Sequence, residues 1–243
     1  VTEPVASDTA GEAADPAAGD AVAPAVGDLQ AIARLALGEL RSASPIAIDD
    51  EVRSRYVRLL AHDPSALLRT GGVGGGSGSG EEPGVHLTAS AFLLDAPAEH
   101  TALVWHHKGD CWVQPGGHLE RADAGLLDAV LREVAEETGL TGCTMAGPGP
   151  ALLVPHDAST VFGSCRGHLD VVFVLRAPGP ARDLSLTPES PTGATRWVPW
   201  PRTSREGFSP APDLPGTMRA ADDLPDLTAA LAPYLDRYAR HAT

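Results

Sequence analysis

The sequence predicts an α/β domain, a mixed β-sheet held between helices. Three observations carry this reading. Apolar, strand-like runs recur between residues 85 and 200, as HLTASAFLLD, TALVWHH, ALLV, HLDVVFVLRA and ATRWVPW. A helix with one charged face and one apolar stripe interrupts them. A further amphipathic helix closes the chain over about 224–240.

Residues 1–28 hold Ala, Pro, Gly and acidic residues, with no Lys, Arg or aromatic side chain. Such a segment buries too little apolar surface to offset its ordering entropy, and it reads as a disordered acidic tail. Residues 29–70 read as a helical lead-in. Leu29, Ile32, Leu35, Leu37 and Leu40 recur at helical spacing behind an Asp28 cap, and Ser44-Pro45 ends the helix. A second helix is expected from Asp49 to Leu60, with Val52, Tyr56 and Leu59 or Leu60 inward. A short turn follows from Pro64 to Arg69. Residues 71–84 contain GGVGGGSGSG, the composition of a flexible linker. A phosphate loop would need a strand before it and a helix opening with Lys-Ser/Thr after it, and neither is there.

Residues 85–240 form the main domain. Lys108-Gly109-Asp110 makes a tight turn between strands, and Pro115-Gly116-Gly117 reads as another. The central helix stops at Gly139 and turns Leu127, Val130, Leu131 and Val134 toward the core. Strands are expected over Ala151 to Val154, from His168, and over residues 194–200, with loops at 157–167 and 178–191. A Pro-rich stretch, 201–216, leads to the last helix, with Leu227, Leu231, Leu235 and Tyr238 inward and Pro225 in its first turn.

The length of 243 residues suffices for one well-buried domain with extensions. A net charge of −14 argues against a nucleic-acid partner, because such partners select basic surfaces. No apolar run approaches the ~20 residues a bilayer requires, so no membrane partner is expected. The opening VTEPVASDTAGEAADPAAGDAV lacks the basic and apolar regions of a signal peptide, which favours a cytoplasmic location. Cys111, Cys143 and Cys165 have no ligand-like spacing and read as reduced thiols. Lys108 is the single lysine, and the Ala, Gly, Pro and Arg content suits a GC-rich bacterial genome.

The chemistry concentrates in LREVAEETGL. Glu133, Glu136 and Glu137 fall at i, i+3 and i+4, on one face of a helix. Three carboxylates so close repel one another, and a hard cation between them relieves the repulsion. Mg²⁺ or Mn²⁺ suits such oxygen donors.

The stretch Gly116 to Leu140, GGHLERADAGLLDAVLREVAEETGL, resembles the Nudix box, G-x5-E-x7-R-E-U-x-E-E-x-G-U with U apolar. Arg132 to Leu140 fits the second half at every fixed position. In the first half Asp123 stands where the pattern has Glu, and eight residues instead of seven separate it from Arg132. The extra residue falls in the loop before Leu126, where insertions are tolerated. The blocks VHLTASAFLLD, WVQPGGHLE, HLDVVFVL and ESPTGATRWVP are similar to those of bacterial Nudix hydrolases with a helical lead-in, over about residues 29–240.

The resemblance implies a Nudix-type α/β/α sandwich. It implies Mg²⁺-dependent hydrolysis of the pyrophosphate bond in a nucleoside diphosphate linked to another moiety. Glu136 and Glu137 would be the core metal ligands, Glu133 a further ligand or water partner, and the Gly116 carbonyl an additional one. Arg132 would pair with a glutamate and fix its rotamer. Family members place a general base outside the box, and both Asp170 and Glu189 are candidates. Asp170 reads equally as half of a structural pair with His168 at a strand edge. His118 is a phosphate contact or a surface imidazole. Trp105, Trp112 and Phe162 can stack on a base, with core roles favoured for Trp112 and Trp197. Arg166 and Arg196 are candidate phosphate contacts. The partner is then a small phosphorylated substrate, and the family's frequent dimers allow a homodimer. The alternative function is a non-hydrolytic Nudix-like nucleotide sensor, motivated by the longer loop and Asp123. Isomerase chemistry of the isopentenyl-diphosphate type would need a catalytic cysteine, and nothing around Cys111 supports one.

Overall fold

The computed structural model describes residues 28–43, 47–68, 84–157, 167–190, 193–200, 219–220 and 224–239. The acidic tail up to residue 27, most of the Gly-rich linker, Phe162, Cys165, Arg166 and the stretch 201–216 lie outside them. Among the described residues the helices are α1 (Leu29–Ser42), α2 (Asp50–His62), α3 (Leu126–Thr138) and α4 (Leu224–Tyr238). The strands are β1 (Val85–Leu94), β2 (His100–His106), β3 (Cys111–Val113), β4 (Gly116–His118) and β5 (Thr144–Met145). They continue with β6 (Leu152–Asp157), β7 (Gly167–Arg176), β8 (Thr195–Pro199) and β9 (Arg219–Ala220). No described helix is long and apolar enough to cross a membrane.

The strands form one mixed sheet with the main path β5-β7-β1-β2-β3-β9, while β4 pairs with β1, β6 with β7 and β8 with β2. At its centre β1 and β7 run parallel, in register from Val85↔Gly167 to Leu94↔Arg176. Both are covered on both faces, which is why they read as continuous apolar runs. Alternate residues divide the core in two, because successive strand side chains point to opposite faces. Leu87, Ala89, Ala91 and Leu93 of β1, with Leu169, Val171, Phe173 and Leu175 of β7, pack with α1, α2 and α3. Phe92, Leu94, Val172 and Val174 pack with α4. The architecture is an α/β/α sandwich.

Several elements differ from the sequence reading. Gly116-Gly117 is no turn but the start of β4, which pairs antiparallel with β1 through Ser90↔Gly116. Glycine is needed there for close approach, since a Cβ on Gly116 would sit 2.5 Å from the Ala89 carbonyl oxygen and from Ser90 Cα. In α1, Leu35 faces solvent, while Ala33 and Ala36 are buried beside Ile32 and Leu40. The small residues lie on the packed face, where they let the helix come close. In α3 the buried stripe is Leu126, Ala129, Val130, Val134 and Thr138, with Leu127 and Leu131 half-buried at its margins. In α4 Tyr234 is buried, its hydroxyl donating to the Gly149 carbonyl at 2.9 Å. β9, parallel to β3, has no counterpart in the sequence reading.

Candidate active site

Helix α3 carries the acidic face, and both of its ends are held from elsewhere. Its N-cap, Gly125, supplies no side-chain acceptor. Glu39 of α1 does so instead, accepting from the Leu126 N–H at 2.7 Å and the Leu127 N–H at 2.8 Å. These are two of the orphan donors at any helix N-terminus. At the other end Gly139 adopts φ +74° and returns its N–H to the Ala135 carbonyl at 2.8 Å. The loop at 187–189 then covers the last turn. Thr187 N–H donates to the Thr138 carbonyl at 2.9 Å, and Glu189 N–H to the Glu136 carbonyl at 2.8 Å.

Arg132 organises the face between these ends. Its Nε and Nη2 grip Asp123 at 2.9 and 3.0 Å, a bidentate pair. Nη2 also donates to the His118 carbonyl at 2.9 Å, and Nη1 to Glu133 Oε1 at 3.0 Å and both Glu136 oxygens at 3.3 Å. Asp123 is buried and also accepts the Glu120 N–H at 2.7 Å. With its donors committed this way, Arg132 spaces the carboxylates.

Glu137 lies against β4, its Oε2 accepting the Gly116 N–H at 2.9 Å. Burial pushes its carboxyl up to about 7; the Gly116 N–H opposes this, and Glu133 and Glu136 add to it. Burial likewise raises Glu133, against the pull of Arg132. Glu133 rests over Gly117, where a Cβ would sit 2.7 Å from its Oε1. The donor set is three half-buried carboxylates on one helix face, with two of their charges disfavoured where they stand. That chemistry fits a hard divalent cation.

Of the other expected site residues, Glu189 is exposed and stands beside Glu136 through the backbone bond above. Asp170 is buried on the α4 face of the sheet, in line with Val172, while α3 covers the opposite face. It accepts from Thr88 Oγ1 at 2.8 Å and Ser90 Oγ at 2.6 Å, and its carbonyl takes the Tyr56 hydroxyl at 3.2 Å. Burial raises its carboxyl above the usual range. Its strand is internal to the sheet, between β1 and β6, and not at an edge. The His118 ring stacks on His86 at 5.0 Å and meets His168 edge-on at 5.2 Å. Trp105 is half-buried against Trp112 in the α4-side core, and Arg196 is exposed on β8.

Sequence reasoning assigned no role to two residues of this site. Asp123 had a signal, an acid at the expected distance from Gly117, and it is the main partner of Arg132. Glu39 had none, because nothing local ties it to a helix 87 positions away.

A family model described as the NUDIX domain matches residues 84–212, more than half of the chain. The chain belongs to the Nudix family. That membership places it among the Nudix pyrophosphohydrolases. Similar solved structures include a Nudix-family hydrolase from Clostridium perfringens, 19% identical over 62% of this chain and 97% of that one, with a TM-score of 0.44. The Nudix domain of Shewanella oneidensis NrtR complexed with ADP ribose is 19% identical over 62% and 86%, with a TM-score of 0.40. The C. elegans Ap4A hydrolase is 15% identical over 46% and 77%, with a TM-score of 0.36. No curated protein sequence matches the chain.

Proposed function

We propose that this Nudix protein is a Mg²⁺-dependent hydrolase that cleaves the pyrophosphate bond of a nucleoside diphosphate linked to another moiety. The observation that carries the reading is the face of α3, where Arg132 holds Glu133 and Glu136 while β4 holds Glu137. Glu136 and Glu137 would be the principal ligands, with Glu133 a further ligand or the partner of a bound water, and Gly116 would close the site from β4. The bound ion supplies charge neutralisation on the phosphoryl oxygens and a water of lowered pKa. The chain supplies positioning. Asp123 fixes Arg132, Arg132 fixes the glutamates, and Glu39 fixes the start of their helix. Glu189 is the better-placed general base, since its backbone is bound to that of Glu136, whereas Asp170 faces the other side of the sheet.

The test is turnover of a panel of nucleoside diphosphate derivatives with Mg²⁺ or Mn²⁺. Metal-dependent release of a phosphorylated product is expected, falling by roughly 10²-fold or more in Glu136→Gln and Glu137→Gln. Turnover unchanged in both variants would overturn the assignment. Tight nucleotide binding by calorimetry with no product formed would replace it with a sensor.

A further inference from the structure

We infer that the protein carries a second metal site, apart from the box carboxylates, in which His86, His118 and His168 bind a transition-metal ion of the Zn²⁺ type. The three histidines come from three neighbouring strands. His86 on β1 and His168 on β7 are direct register partners, and His118 on β4 stands opposite Thr88, two residues along β1 from His86. Strand alternation puts His86, Thr88 and Ser90 on one face, so the three rings converge on the α4 side of the sheet.

One ligand atom from each residue lies within 4.8 Å of the others. Ring centroids are 5.0, 5.0 and 5.2 Å apart, and the Nε2 atoms of all three are buried. The Gly84 carbonyl lies 3.3 Å from His86 Nδ1. A proton on Nδ1 facing that carbonyl leaves the Nε2 lone pair for a metal, the arrangement that orients metal-binding imidazoles elsewhere.

The donors decide the class of ion. Three imidazole nitrogens suit Zn²⁺, Cu²⁺ or Ni²⁺, and are poor ligands for Mg²⁺ and Ca²⁺. Tetrahedral Zn²⁺ at about 2.0–2.1 Å from each nitrogen needs them about 3.4 Å apart, so binding draws together atoms that stand within 4.8 Å of one another. Three protein ligands also leave a fourth position open to water or a small ligand. The site is joined to the box through β4. The His118 carbonyl holds Arg132, and the Gly116 N–H of the same strand holds Glu137.

The experiment uses the full chain freed of any affinity tag. After chelation and desalting it is titrated with Co²⁺, whose visible d–d bands report tetrahedral nitrogen ligation. Roughly one equivalent is expected to bind with an intense tetrahedral spectrum, and Zn²⁺ to displace it. His118→Gln and His86→Gln should each weaken binding by about 10–100-fold or more. Glu136→Gln and Glu137→Gln should keep the spectrum unchanged while losing hydrolysis, which separates this site from the proposed activity. Zn²⁺ added back to the metal-free wild-type protein should also raise its Tm, a readout that depends on no variant. The inference is overturned if wild-type protein shows no tetrahedral Co²⁺ band and no Zn²⁺-dependent rise in Tm. It is equally overturned if the band survives in both histidine variants or disappears in the glutamate ones.

Discussion

Glu39 on α1 is the sharpest point at which the lead-in helices bear on the acidic helix. Replacing it with Ala removes both acceptors from the Leu126 and Leu127 N–H groups, bonded at 2.7 and 2.8 Å. A buried donor left bare costs about 1–3 kcal/mol, and loss of a helix cap about 0.5–2 kcal/mol. Part of that is returned, because burial already disfavours the Glu39 charge and raises its carboxyl despite the two N–H bonds. A net loss of about 2–3 kcal/mol follows, lowering Tm by about 4–12 °C for a domain of this size. Glu39→Gln keeps one neutral acceptor and should lose less than about 1 kcal/mol. The sign of the pH effect follows from the raised carboxyl. The folded state binds the proton more tightly than the unfolded chain, so this group's contribution is fullest below the unfolded value of 4.5 and declines as pH rises through the folded one. The gap between wild type and Glu39→Gln should therefore narrow with rising pH. Thermal and urea unfolding of the three proteins in chelator, from acid to neutral pH, measure all of this. A Glu39→Ala loss below about 0.5 kcal/mol, or a Gln variant as unstable as Ala, would refute the capping argument.

Three further outcomes are expected. Asp123→Asn removes the buried charge facing Arg132 and should destabilise by about 3–5 kcal/mol in urea unfolding, lowering kcat more than it raises KM. Gly116→Ala drives a Cβ into the β1 backbone, 2.5 Å from the Ala89 carbonyl oxygen, and should cost more than about 3 kcal/mol or abolish soluble expression. Burial pushes Glu137 up to about 7, so metal-free protein should lose stability as pH rises from 4.5 through that value; Glu137→Gln should flatten the profile in chelator-treated melts.

The legible parts of the molecule were those encoded locally. The 3.6-residue spacing of Glu133 and Glu136–Glu137, the Gly139 stop and the continuous apolar runs of β1 and β7 each report on their own neighbourhood. β4 was missed because two glycines have low strand propensity and resemble a turn; only the proximity of the β1 backbone explains them. Leu35 shares the helical spacing of Ile32 and Leu40 yet faces solvent, because apolar spacing does not reveal that alanines make the closer contact. The Glu39 cap and the histidine cluster depend on which strands and helices become neighbours, and periodicity within one segment does not carry that information. Asp170 shows the same limit. Alternation along β7 puts His168 and Asp170 on one face, but it does not say which face of the sheet α3 covers.

The two departures in the first half of the box have opposite effects on the reach of the acid. Aspartate is one methylene shorter than the glutamate of the pattern, and its loop is one residue longer. The loop carries the shorter side chain to Arg132, where it makes a bidentate pair at 2.9 and 3.0 Å. Each departure should therefore be harmful without the other. Asp123→Glu alone lengthens a buried side chain in a filled position and should cost about 1–3 kcal/mol. Deleting Ala124 alone draws Asp123 away from the guanidinium and should cost a similar amount. The combined variant restores the spacing G-x5-E-x7-R and should recover most of the loss, a coupling of about 1–3 kcal/mol in a double-mutant cycle read by urea unfolding. Simple additivity of the two changes would show that the loop length and the choice of acid are unrelated. Recovery would show that one geometric requirement, a carboxylate at the Arg132 fork, set both.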